Sequence, residues 1–138
     1  MSELEPTDVE ARRVARERAL ELLYEAEVKG VHGADVLADL PLEPDELTAD
    51  LVRGVHDNLG RIDGLIAERV APRWTLARLA SVDRAVLRMA TYELLEHPET
   101  PVPVAINEAV VLSGRFGTDD SSRFVNGVLS AIASEVRP

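Results

Sequence analysis

The segment VAINEAVVLSGRFGTDDSSRFVNGVLSAI, residues 104–132, carries the clearest fold signal in the chain. Its apolar residues recur at steps of three and four, which is the period of an α-helix. Gly117 interrupts the repeat where a left-handed residue commonly ends a helix, and residues 118–120 offer side-chain oxygens that could cap the next one. The segment therefore predicts two amphipathic helices joined by a short turn.

Asn126-Gly127, inside the second of these helices, is a dipeptide that often forms hairpin turns. Because it interrupts a helical repeat and not an alternating one, we predict that it is helical. A glycine inside a helix costs up to about 1 kcal/mol relative to alanine. Two interpretations stay open: a tolerated glycine, or a gap in the helix surface where a partner or a nucleotide approaches the backbone.

The N-terminal part of the chain also repeats its apolar residues with a helical period. Thr7-x-x-Glu10 is a capping-box pattern, so we predict that the first helix begins at Thr7 and ends at Gly30. Over residues 45–71 the apolar period continues without interruption, which predicts one long helix that could bend at Gly60.

Shorter helices are predicted over residues 31–40 and 81–97, and no segment alternates as a strand does. We therefore predict an all-α fold, a seven-helix bundle in which three N-terminal helices pack on a four-helix C-terminal half. Residues 1–138 should form a single domain with helical subdomains at roughly 7–71 and 75–138. Trp74 lies in the connector, where its large side chain predicts packing between subdomains more readily than a ligand platform.

Composition excludes several classes of protein. The chain has no cysteine, which excludes disulfides and thiolate zinc sites. No apolar run approaches the roughly 18 residues that a membrane-spanning helix needs, and the start of the chain lacks the features of a signal peptide. We therefore expect a cytoplasmic protein that does not contact the membrane.

No arrangement in the sequence indicates catalysis. His32, His56 and His97 lie in separate segments without a nucleophile or a second metal ligand nearby. Asp119 and Asp120 are explained more simply by helix capping than by acid–base chemistry. We therefore expect no enzymatic activity, no cofactor and no metal site.

The formal net charge of −10 argues against a general polyanion binder, so any RNA contact needs a local basic patch or a basic partner. Arg12, Arg13 and Arg16 share one flank of the first predicted helix, and Arg123 lies beside Phe124 in the last. Cations that bind phosphates and aromatic rings that stack on bases are the groups that hold single-stranded RNA. The alternative is a solvated face of intrahelical ion pairs and a buried phenylalanine.

The C-terminal part of the chain contains four short motifs, AINEA at residues 105–109, FG at 116–117, DS at 120–121 and FVNGVL at 124–129. With these motifs the sequence resembles the NusB family of transcription antitermination factors. Three further pieces occur in the order of the family, namely ARRVARE at 11–17, VDRAVLR at 82–88 and YEL at 92–94. Together these motifs cover nearly the whole chain, and the family's helical architecture agrees with the predicted one.

The resemblance implies a function in transcription. NusB-like proteins bind boxA RNA in the leaders of ribosomal RNA operons together with NusE, a small-subunit ribosomal protein. With the other Nus factors and RNA polymerase, this pair makes transcription resist termination. By matched position the RNA contacts fall on Arg12, Arg13, Arg16, Asp120, Arg123 and Phe124, and the surface facing NusE includes Asp83, Arg88 and Tyr92.

Several departures from the family pattern predict that the protein binds RNA weakly by itself. Val14 stands within the arginine-rich motif, four acidic residues precede that motif, and the chain ends at Arg137-Pro138 without a lysine tail. The alternative function is an RNA-silent helical interaction module, for instance a homodimer. NusB-like domains also occur fused to RNA cytosine methyltransferases, but this chain has neither a cofactor-binding glycine motif nor a catalytic cysteine.

If Arg12, Arg13 and Arg16 all face solvent, replacing Arg12 and Arg16 by alanine should weaken RNA binding. The helix content should stay nearly unchanged, because alanine favours the helix more than arginine does. Circular dichroism and an RNA titration of the double variant measure the two effects. A collapse of the melting temperature would show that the arginines are structural.

Overall fold

The computed structural model describes residues 8–138, and over this range the chain is all-helical, as predicted. The capping residue proposed for the first helix, Thr7, lies outside the described residues. The seven α-helices are α1 (Asp8–Lys29), α2 (Gly33–Ala38), α3 (Glu46–Asp57), α4 (Leu59–Val70), α5 (Ser81–Glu96), α6 (Val102–Phe116) and α7 (Ser121–Val136). A short 3-10 helix, Leu76–Arg78, lies between α4 and α5.

Helix α5 is the centre of the bundle. It packs against α1, α3, α4, α6 and α7, and most of its side chains from Ala85 to Leu94 are buried. Helix α3 approaches it closely at Gly54, where an added Cβ would lie 2.0 Å from Cζ of Tyr92. A side chain at position 54 would therefore push α3 away from α5.

The predicted turn between α6 and α7 is confirmed, but its chemistry differs from the prediction. Gly117 has φ −97° and ψ −160°, so it is not left-handed. Glycine is needed there for space, since a Cβ would lie 2.5 Å from Oγ of Ser121 and 2.6 Å from the carbonyl oxygen of Ser113. The oxygen that caps the turn also belongs to Ser121, whose Oγ accepts a hydrogen bond from the backbone N–H of Thr118 at 2.9 Å.

The prediction of one long helix over residues 45–71 is wrong, because the chain breaks at Asn58 into α3 and α4. Asn58 has φ −114° and ψ 19°, and its side-chain amide donates to the carbonyl oxygen of Gly54 at 2.8 Å. The apolar period masks this break because Val55, Ile62 and Ile66 are buried on both sides of it. After the break, α4 packs on α5 and α7, while the subdomain division at residues 71–75 stays a prediction.

The prediction that Trp74 fills a space between subdomains is also wrong, because its side chain is 49% exposed. The connector is anchored to the core by two smaller residues instead. Leu79 is buried and Leu76 packs against the core. Within residues 8–138, no helix combines the length and the apolar character that crossing a bilayer requires.

Candidate nucleic-acid interface

Arg12 and Arg13 lie on the exposed surface of the first turns of α1, as predicted. Arg12 makes no hydrogen bond or ion pair with any residue that the structure describes, so its charge is available to a ligand. The charge of Arg13 is shared, since its Nε donates to Oε1 and Oε2 of Glu108 on α6 at 2.9 and 3.2 Å. The Arg13 side chain is nevertheless 54% exposed.

Arg16 does not share this exposed flank, contrary to the prediction. Its side chain is only 4% exposed and donates two hydrogen bonds to Glu93 of α5, from Nε to Oε1 at 2.7 Å and from Nη2 to Oε2 at 2.9 Å. Burial lowers the pKa of Arg16, but the hydrogen bond and the negative charge of Glu93, with a further contribution from Glu108, raise it above its ordinary value. Arg16 is therefore a charged group that joins α1 to α5.

The predicted residues at the start of α7 are closer to the expected arrangement. Asp120 and Arg123 are exposed, and Arg123 has no hydrogen-bond or ion-pair partner within residues 8–138. Phe124 is half-buried and packs against the core. Part of its surface therefore stays accessible to solvent.

Helix α6 connects the two groups of residues. It accepts the hydrogen bonds of Arg13 through Glu108, and it packs along α7, which carries Arg123 and Phe124. At its C-terminal end, Arg115 donates to Glu17 of α1 at 2.9 Å and stacks over the Phe116 ring at 4.9 Å from the ring centroid. Helix α6 therefore links the arginines of α1 to Arg123 and Phe124 of α7.

The residues predicted to face a protein partner all lie inside the bundle or at its edge. Asp83 is buried, and its Oδ1 has no hydrogen-bond partner among the described residues. Arg88 donates to both carboxylate oxygens of Asp63 on α4, at 2.8 and 3.0 Å. Tyr92 is buried and donates to Asp50 of α3 at 2.9 Å, and burial together with this bond raises the pKa of its hydroxyl. Contact of these three side chains with a partner stays a prediction.

A surface that the sequence did not reveal lies next to them. An apolar groove of about 310 Å³ runs between α1, α5 and α6, and its lining residues are Glu17, Leu20, Glu21, Tyr24, Val82, Ala85 and Phe116. Tyr24 and Phe116 are 44% and 43% exposed, so both present aromatic surface to solvent. The sequence signal that could have revealed the groove is Tyr24, which lies off the apolar stripe of the first helix.

The described part of the chain contains no group of three or more histidine or acidic side chains placed to hold a metal ion. His97 is bonded instead to Asp50, with 2.6 Å between Nε2 and Oδ2.

Comparison with known proteins identifies the family. Residues 13–134 match the NusB family model. The chain is 44% identical to the transcription antitermination protein NusB of Syntrophotalea carbinolica, in an alignment covering 92% of this chain and 94% of that protein. The chain belongs to the NusB family. The matched residues include every predicted site residue apart from Arg12.

Solved structures of NusB proteins share the fold. NusB of T. maritima superposes with a TM-score of 0.81 at 38% identity, covering 92% of this chain and 93% of that one. A structure of the antitermination factors NusB and NusE in complex with dsRNA gives a TM-score of 0.75 over 90% of this chain and 96% of the other. The sequence identity to the NusB chain of that complex is 24%, so this comparison shows only that the two chains share a fold.

The structure replaces the expectation that Arg16 can be removed without loss of stability. Arg16→Ala leaves the carboxylate of Glu93 buried without its partner, and breaking a buried ion pair from one side costs about 3–5 kcal/mol. Urea unfolding should therefore show a large loss of stability for Arg16→Ala. The double variant Arg16→Met with Glu93→Leu should recover most of it, because no unpaired charge remains.

Arg12→Ala is the matched control for Arg16→Ala, since Arg12 lies one turn earlier on α1 and is exposed. An exposed substitution of this kind should change the free energy of unfolding by no more than about 0.5 kcal/mol. Equal stability of Arg12→Ala and Arg16→Ala would contradict a structural role for the buried pair.

Proposed function

We propose that this protein is a transcription antitermination factor that binds boxA-type single-stranded RNA together with NusE, a small-subunit ribosomal protein. In this role it acts with the other Nus factors and RNA polymerase. The observation that carries the proposal is membership of the NusB family. The chain also has two arginines with unpaired side chains, Arg12 near the start of α1 and Arg123 near the start of α7.

The RNA contact rests on a small number of groups. Arg12 and Arg123 offer unshared guanidinium charges to phosphates, and Arg13 offers a charge partly neutralised by Glu108. Phe124 offers the part of its ring that the core leaves uncovered, next to Arg123 in the sequence. Because the formal net charge is −10, these groups must overcome repulsion from the rest of the surface, so the isolated protein binds RNA weakly.

The apolar groove between α1, α5 and α6 supports the protein-partner half of the proposal. Tyr24 and Phe116 expose aromatic surface there, and aromatic residues dominate the energetics of protein interfaces. Glu17 and Glu21 lie at its edge but are already paired with Arg115 and Arg18 at 2.9 and 3.0 Å, so the attraction for the basic surface of an RNA-binding ribosomal protein comes from the net charge of −10 of the whole chain. Val82, next to the predicted partner residue Asp83, lines the groove, so α5 contributes to this surface through its exposed side.

The RNA contact can be tested with labelled boxA-type RNA and fluorescence anisotropy at several salt concentrations. About three phosphate contacts give a log–log salt slope near −2 for a single strand, and Arg12→Gln with Arg123→Gln should reduce that slope by about 1.4. Phe124→Leu keeps apolar packing but removes the stacking ring, and should weaken binding by roughly 5- to 150-fold.

Arg53→Gln is the matched control for the arginine variants, because Arg53 is exposed on α3 and lines a groove with Asp50 and Tyr92 that includes none of the predicted RNA contacts. It should leave the affinity and the salt slope nearly unchanged. An equal effect of Arg53→Gln, or a wild-type slope far steeper than −2, would mean that RNA binds elsewhere on the surface.

The partner surface can be tested with Tyr24→Ser and Phe116→Ser. If both rings lie at the centre of the NusE interface, each variant should weaken NusE binding in calorimetry by roughly 30-fold or more. Leu42→Ser is the control, since Leu42 is 81% exposed and lies outside the groove. Unchanged NusE affinity in both groove variants would remove the groove from the proposal. Light scattering that shows a homodimer dispersed by these variants would assign the groove to self-association.

A further inference from the structure

The connector between α4 and α5 contains an exposed tryptophan between two exposed arginines. Its sequence, APRWTLARLA at residues 71–80, has no acidic residue, and Trp74 is the only tryptophan of the chain. The Trp74 side chain is 49% exposed. Arg73 and Arg78 are exposed, and their side chains make no hydrogen bond or ion pair with any residue from 8 to 138.

The backbone of this connector is held in place by several hydrogen bonds. The N–H of Trp74 donates to the carbonyl oxygen of Val70 at 3.1 Å. The guanidinium of Arg84 donates to the carbonyl oxygens of Leu76 and Leu79 at 3.1 and 2.9 Å, and it also pairs with Glu27 of α1. The exposure of Trp74 is therefore the result of an ordered backbone that directs this side chain outward.

The exposure of Trp74 is not explained by a shortage of core positions. Leu76 and Leu79 of the same connector turn inward and contact the core. Tryptophan has the largest apolar surface of the residues in this segment, and its burial would normally contribute most to folding. A fold that packs the leucines on the core and leaves 49% of the tryptophan surface exposed keeps aromatic surface available for binding.

The chemistry of the three side chains defines the class of ligand. An indole face binds a planar group by stacking, and two unshared guanidinium groups bind anions. A single strand of nucleic acid offers both at the spacing of one nucleotide, with bases on the ring and phosphates on the arginines. The carboxylates nearest in sequence do not oppose this, since Asp83 is buried and Glu68 lies 3.8 Å from Arg69.

We propose that Arg73, Trp74 and Arg78 form a second contact for single-stranded RNA, separate from the strip formed by Arg12, Arg13, Arg123 and Phe124. The contact rests on the proposed RNA-binding function and extends it to nucleotides outside the boxA element. The bond between Arg84 and Glu27 places the connector near the C-terminal end of α1, whereas Arg12 and Arg13 lie at its start.

The separation of the two contacts sets the length of RNA that can reach both. From Arg13 to Glu27, α1 extends about 20 Å at 1.5 Å per residue. A stacked strand advances 3.4 Å per nucleotide, so the RNA must extend roughly six nucleotides beyond the first contact. An oligonucleotide that ends at the first contact therefore cannot reach the connector, whereas one that extends beyond it by more than about six nucleotides can reach both.

The intrinsic fluorescence of Trp74 tests the proposal directly, because no other tryptophan contributes to the signal. The full chain, with and without NusE, is titrated with a boxA-type RNA and with the same RNA extended at either end by roughly eight uridines, more than the separation requires. Anisotropy of a label on the RNA reports binding in the same samples. The extended RNA should quench Trp74 and protect it from acrylamide, and the short RNA should bind without either effect.

Variants of the connector separate stacking from charge. Trp74→Leu should weaken binding of the extended RNA by roughly 5- to 150-fold, and Trp74→Phe should restore much of the loss because it keeps an aromatic face. Arg73→Gln with Arg78→Gln should reduce the salt slope of the extended RNA by about 1.4. Affinity for the short RNA should change little in all of these variants. Arg53→Gln is the control for lost charge.

The outcomes distinguish this contact from the proposed function. Binding of the extended RNA without any change in Trp74 fluorescence, or with an affinity unaffected by Trp74→Leu, overturns the second contact alone. Failure of both RNAs to bind in the presence of NusE overturns the proposed function and this contact with it. A fluorescence change produced by NusE in the absence of RNA assigns Trp74 to the protein interface and also overturns the contact.

Discussion

The arrangement of the bundle depends on the buried ion pair between Arg16 and Glu93. Burying two charges is costly, and it is tolerated only where the geometry is good and each group is fully hydrogen-bonded. The two parallel hydrogen bonds, at 2.7 and 2.9 Å, meet this condition and fix the rotation of α1 on α5. Once α1 is oriented in this way, Arg13 and Glu17 meet Glu108 and Arg115 of α6. The same rotation leaves Arg12 at the surface, so the predicted RNA contact follows from the structural one.

The arginines of this acidic chain divide into two groups with different functions. Arginines of the first group bond to groups inside the protein, and Arg137 is the clearest case: it donates to the carbonyl oxygens of Glu93, Leu94, His97 and Thr100 at 2.6–3.1 Å and so caps the end of α5. Arginines of the second group, which includes Arg12, Arg73, Arg78 and Arg123, have no partner within residues 8–138. Sequence position alone does not show to which group an arginine belongs. Arg12 and Arg16 lie one turn apart on α1 but belong to different groups.

This division explains what could be predicted from the sequence. The helices and the α6–α7 turn follow from local periodicity and from glycine, which are properties of neighbouring residues. The inward orientation of Arg16 depends on Glu93, which lies 77 residues further along the chain, and no local pattern reports it. The break at Asn58 escaped prediction because the apolar period continues in register across it. The size of Trp74 predicts packing between subdomains, and only the packing of its neighbours shows that it is half exposed.

The net charge of −10 gives the exposed groups their selectivity. On a basic protein, one more arginine near an aromatic ring would add little to a general attraction for RNA. On this surface, repulsion opposes a polyanion nearly everywhere, so a strand can bind only where unpaired guanidinium groups and an aromatic face coincide. A basic partner seated in the groove beside Glu17 and Glu21 would reduce the repulsion for the whole complex and increase the rate of RNA association. Under the proposed function, the acidic surface would make RNA binding depend on the partner, because the attraction that the chain lacks would come from the protein bound next to it.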